Sequence, residues 1–93
     1  MIDGRILVSD LTVNLWVQEA IETDVERKAL HDNIQCESDR EWARMAITGR
    51  ARLDSLIADH CECWCFGRED RRRIERLVLP IYEEARKFLD LPA

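Results

Sequence analysis

Ninety-three residues with 46% apolar and 35% charged side chains suffice for one hydrophobic core but not two, and exclude an intrinsically disordered chain. A net charge of −5 argues against direct binding to duplex nucleic acid, which needs a basic surface. No run approaches the roughly 18 apolar residues of a membrane span, so no membrane partner is expected.

Three glycines and two prolines among abundant Ala, Leu, Arg and Glu point to an all-α fold. The expected architecture is a single domain over residues 1–93, a three- or four-helix bundle. It is organised around a long antiparallel helical hairpin, about 39–66 and 69–90. Asp3 and Arg5 charge the N-terminus where a signal peptide would be apolar, so a cytoplasmic setting with reduced thiols is expected. Charge is uneven: residues 1–49 hold ten acids and five bases, whereas residues 50–93 hold nine of each. Such halves attract each other, within one chain or between two.

Residues 1–8 read as a lead-in, with Ile6-Leu7-Val8 either an edge strand or an arm packed on helices. Ser9 or Asp10 offers an N-cap. Val13, Trp16, Val17, Ala20 and Ile21 then recur at helical spacing and form one apolar stripe. Leu11 and Leu15 fall on the other side, and a helix apolar on two sides has two neighbours. In so short a chain the second is expected to be another subunit, making a homodimer. Thr23-Asp24-Val25-Glu26 fits a capping box, yet the phase also continues through Val25 and Ala29 to Leu30 and Ile34, so a break and a continuous helix both fit.

Ser38-Asp39-Arg40-Glu41 is a second capping box. After it Trp42, Ala46, Gly49, Leu53, Leu56, His60 and Cys63 step by 4, 3, 4, 3, 4 and 3, flanked by Met45, Ile57 and Trp64. Gly49 costs about 1 kcal/mol against alanine inside a helix, which predicts that its small side chain admits a close neighbour. Gly67 is expected to end this helix. Ile74, Leu77, Val78, Ile81, Ala85, Phe88 and Leu89 then share one face of the last helix, whose phase runs through Pro80 and predicts a kink rather than a break.

Three features carry functional candidates. His60, Cys61, Cys63 and Cys65 supply zinc-type ligands, with His31 and Cys36 as additional ones. At about 100° per residue, however, Cys63 points away from Cys61 and Cys65, so one zinc ion needs the helix to unwind near residue 60. Buried cysteines acting as small apolar side chains are the favoured alternative. Arg68, Arg71, Arg72, Arg73 and Arg76 form a basic run. Arginine suits phosphate, but Glu69 with Arg73, Arg71 with Glu75 and Glu83 with Lys87 are expected to pair along the helix. That leaves Arg72 and Arg76 pointing outward together, as a phosphate, nucleic-acid or partner site. Finally, Glu19, Glu22, Asp24 and Glu26 make an acidic patch, with Trp16 as an anchor, suited to a partner protein with a basic nucleic-acid-binding groove.

Glycine-rich phosphate loops and metalloprotease or serine-hydrolase motifs are absent. The expected function is therefore that of a non-enzymatic helical interaction protein, an inhibitor or adaptor that occupies a partner's surface. Phage and mobile-element anti-defence proteins, anti-CRISPR proteins among them, share this size and lack of motifs, a comparison by class that no residue carries.

Overall fold

The computed structural model describes residues 7–32, 38 and 47–89. Among these the chain is all-α: α1 spans Asp10–Asp32, α2 Gly49–Cys63 and α3 Arg68–Arg86, followed by a 3-10 turn at Lys87–Leu89. No helix among the described residues is long and apolar enough to cross a membrane. Ile34, Cys36, Asp39 to Glu41, Trp42, Met45 and Ala46 lie outside the described residues, as do the side chains of Leu30 and His31.

Ser9 caps α1: its Oγ accepts the Thr12 N–H at 3.1 Å and its carbonyl accepts that of Val13 at 3.0 Å. The helix continues without a break through Thr23. The Thr23 hydroxyl donates back to the Glu19 carbonyl at 2.9 Å, so it is engaged within the helix instead of opening a new one. Val13, Trp16, Val17 and Ala20 are buried as one stripe, and Leu11 and Leu15 face solvent. Leu7 and Val8 are a buried turn rather than a strand.

The seam expected from Trp42 onward is not one continuous helix. Ile47 and Thr48 are non-helical, and α2 runs over Gly49–Cys63 instead of 39–66. Thr48 is extended (φ −81°, ψ 160°), and its side chain accepts the Ala51 N–H at 3.2 Å, which is the geometry of an N-cap. At this start Gly49 abuts α1. A Cβ on Gly49 would stand 2.3 Å from the Ala20 carbonyl oxygen and 2.3 Å from a carboxylate oxygen of Asp24. The close approach expected at Gly49 is therefore real, and it occurs at the first residue of the helix.

α2 ends earlier than Gly67, in a left-handed turn at Cys65 (φ 54°). The Phe66 N–H reaches the Cys61 carbonyl at 2.8 Å and the Cys65 N–H reaches that of Glu62 at 3.2 Å. These two bonds are a Schellman cap, closed by an apolar contact between Phe66 and His60, ring centroids 5.8 Å apart. Gly67 instead precedes α3 in extended backbone, with Glu69 and Asp70 in the first turn complementing the helix dipole. α3 passes through Pro80 unbroken.

The first residue of α2 and the last turns of α3 meet at the Asp24 carboxylate, while four residues join their other ends. The two helices therefore run antiparallel. α1 lies across both, and most extensively along α2. Leu53 and Ile57 of α2, Ile74, Val78 and Tyr82 of α3 and the α1 stripe form one core. Each large apolar side chain fully buried there contributes about 1.5–3 kcal/mol of transfer free energy.

Candidate functional site

The four cysteine-cluster residues disperse. Cys61 is buried beside the core, and burial pushes its thiol up from the ordinary cysteine value. Cys63, on the last turn of α2, and Cys65, in the left-handed cap, are both exposed. His60 lies 2.7 Å, through Nε2, from the Leu7 carbonyl and packs edge-on against Trp16 at 5.1 Å. Among the described residues no three His, Cys, Asp or Glu side chains converge on a metal position. His60 instead ties the N-terminal arm to α2 and centres an aromatic group of Trp16, Trp64 and Phe66. Trp64 stacks on Phe66 while remaining 63% exposed.

The acidic patch is divided by the fold. Glu22 and Glu26 are exposed as expected. Glu19 accepts from Arg52 of α2, whose Nε lies at 2.9 Å and whose Nη2 also donates. Asp24 leaves the surface altogether: it is 3% exposed. Its Oδ1 accepts the Gly49 N–H at 2.9 Å, its Oδ2 accepts the Tyr82 hydroxyl, and the Arg86 Nε lies 3.3 Å from Oδ2. A buried carboxylate persists only with such partners. Burial, then the adjacent Asp24 carboxylate, holds the Tyr82 phenol well above the usual tyrosine range. Trp16 is buried in the core and is not an exposed anchor. Asp24 and Trp16 thus belong to the fold's interior, not to a docking face.

In the arginine run, Arg71 pairs with Glu75 at 3.1 Å as expected. Arg73 faces Asp70 at 3.9 Å rather than Glu69, and Lys87 pairs with Glu84 at 3.1 Å rather than Glu83. Both changes exchange one helical neighbour, four residues away, for another three away. Arg68, Arg72 and Arg76 are exposed at successive four-residue steps, and none has an ion-pair partner among the described residues.

The largest departure from expectation lies on α3. Ile74 and Val78 are buried, but Leu77, Ile81 and Phe88, expected on the same core face, are exposed, Phe88 to 83%. The apolar arc of α3 is wider than α1 and α2 together cover. Pro80, Ile81, Glu84, Ala85 and Phe88 line a shallow groove along its outer flank. Pro80 has no N–H, so the Arg76 carbonyl lacks its usual donor four residues on, next to that groove. Contiguous exposed apolar surface of this kind marks interaction sites in globular proteins. The sequence signal for it was the crowding of the α3 face itself, which carries more apolar positions than one packed stripe uses.

No protein-family model, curated protein or solved structure matches the chain.

Proposed function

We propose that this chain is a small non-enzymatic interaction protein, an inhibitor or adaptor, which works by occupying the surface of a partner protein. The observation that supports this reading best is the groove of α3, where Ile81 and Phe88 are left to water beside Pro80 and Ala85, with Leu77 exposed one turn before it. The partner supplies an apolar segment that fills the groove. Phe88 is the anchor, since aromatic side chains dominate interface energetics. The acidic patch is left a secondary role. With Asp24 in the core and Glu19 paired to Arg52, Glu22 and Glu26 with the net charge of −5 assist the approach to a basic partner.

A photo-crosslinker placed at Glu84 in the source cells tests the reading. A discrete crosslinked partner is expected, and it should disappear with Phe88→Ala or Ile81→Glu in a chain that still melts normally. Crosslinks indifferent to both substitutions would sink it. A second reading rests on the row Arg68, Arg72 and Arg76: an anionic ligand or acidic partner segment bound along α3. Binding of that kind weakens steeply with salt and is lost in Arg72→Ala/Arg76→Ala.

A further inference from the structure

α1 carries a second stripe, on the side away from the core. Leu11, Leu15, Gln18, Glu22, Val25 and Ala29 follow one another at steps of four, three, four, three and four, which is the spacing of a coiled-coil seam. All six are exposed, Leu11 to 70% and Leu15 to 56%. The stripe spans about 27 Å at 1.5 Å per residue. Its polarity is symmetric about the middle of the helix. Both ends are apolar, and the centre is an amide and a carboxylate, with Gln18 Nε2 donating to Glu22 Oε1 at 3.2 Å.

That pattern specifies both a partner and an orientation. A parallel pairing of two such helices brings Glu22 against the partner's Glu22, a like-charge contact at the centre of the seam. An antiparallel pairing about a two-fold axis removes it. Leu11 then meets the partner's Ala29, Leu15 meets the partner's Val25, and Gln18 meets the partner's Glu22. By symmetry the amide–carboxylate contact forms twice. Beside the seam, Glu26 falls next to the partner's Thr12, and Glu19, already paired with Arg52 of its own chain, falls next to the partner's Glu19. A foreign helix has no reason to match this arrangement, whereas a second copy matches it by construction.

We infer that the outer face of α1 is the interface between two copies of this chain, with the two α1 helices antiparallel and in that register. The charge at Glu22 selects antiparallel over parallel, and the leucines supply the burial. So short a seam sits at the low end of specific interfaces, around 1,200 Å², and association depends on concentration accordingly. The α3 groove is on a different helix, so the dimer presents two grooves.

The test is analytical ultracentrifugation of the full chain across a wide concentration range, on wild type, Leu15→Glu, Val25→Lys and the double variant. Wild type should pass from the 11.0 kDa chain mass to twice that value. Leu15→Glu should raise the concentration of half-dimerisation by at least about tenfold, and Val25→Lys should also weaken it. Residue 15 faces the partner's residue 25, so the double variant pairs Glu with Lys and should recover dimer. Both positions are exposed, and an unchanged thermal melt of each variant confirms an intact fold. A wild type that remains monomeric, a dimer indifferent to Leu15→Glu, or a double variant no better than either single one overturns the inference. The second of these outcomes would place self-association on another surface, such as the α3 groove, and Phe88→Ala identifies that case.

Discussion

Tyr82 donates its phenolic hydrogen to Oδ2 of Asp24, 58 residues away along the chain. Two further groups share that carboxylate, the Gly49 N–H at the head of α2 and the Arg86 guanidinium at the foot of α3. Every helix described thus reaches one buried anion. Asp24→Ala removes the buried acid on which the Gly49 N–H, the Tyr82 hydroxyl and the Arg86 guanidinium converge, and should cost about 3–5 kcal/mol in urea denaturation. Tyr82→Phe removes one neutral donor and should cost about 1–2 kcal/mol. Equal losses in the two variants would mean that the charge pair adds nothing beyond the hydroxyl.

The same contact makes stability fall at alkaline pH. Burial, then Asp24, raises the Tyr82 phenol above its ordinary value of about 10. The native chain therefore keeps a proton that the unfolded chain releases. This contribution is complete below pH ~10 and is lost as pH rises through the folded pKa. Tyr82 is the sole tyrosine, so phenolate absorbance reads this group alone. In an alkaline titration that absorbance should appear together with the loss of helical circular dichroism. Ionisation near pH 10 in a still-folded chain would place the phenol in water instead.

Gly49 and Gly67 should respond very differently to alanine. At Gly49 the new methyl collides with the Ala20 carbonyl, a backbone atom that moves only if α1 moves. Gly49→Ala should cost at least about 2 kcal/mol, with the melt as the readout. Nothing lies within 4 Å of a Cβ at Gly67, and its φ of −82° suits any residue. Gly67→Ala should change stability by less than about 1 kcal/mol.

Cys65 occupies the left-handed position of the α2 cap, at φ 54°, where a side chain costs roughly 1–2 kcal/mol relative to glycine. Its side chain is exposed and gives up little by removal. Cys65→Gly should therefore raise the melting temperature, with a gain of about 0.5–1 kcal/mol after glycine's added unfolded-state entropy. A drop would show that the thiol makes a contact worth more than the strain.

Much of the fold was legible because it follows local periodicity. Val13, Trp16, Val17 and Ala20 repeat at helical spacing and are buried together. Leu11 and Leu15 fall outside that stripe and are exposed. The phase through Pro80 correctly implied an unbroken α3. What periodicity misses is set by contacts distant in sequence. Asp24 sits in a segment that satisfies a capping box and reads as surface acid, yet α1 turns it toward Gly49, Tyr82 and Arg86. The four-three seam across residues 46–49 has no local flaw. It is interrupted at Thr48, whose extended backbone caps α2 just where Gly49 meets α1 without a side chain. Helical spacing puts Cys61 and Cys65 on one flank, but α2 ends at Cys63 and the left-handed turn at Cys65 separates the two, a glycine's position that carried no sequence mark.

Sharing one anion among three helices also decides how the chain can be divided. A fragment holding only α2 and α3 would keep their mutual packing, but the guanidinium of Arg86 and the hydroxyl of Tyr82 would then face a site without its acid. A fragment holding only α1 would carry Asp24 into water with no counterpart. Neither piece keeps that anion together with its partners, so the three helices should be lost in a single cooperative step. If two copies ever exchange α1, each helix can settle only by delivering its own aspartate into the identical pocket of the other chain.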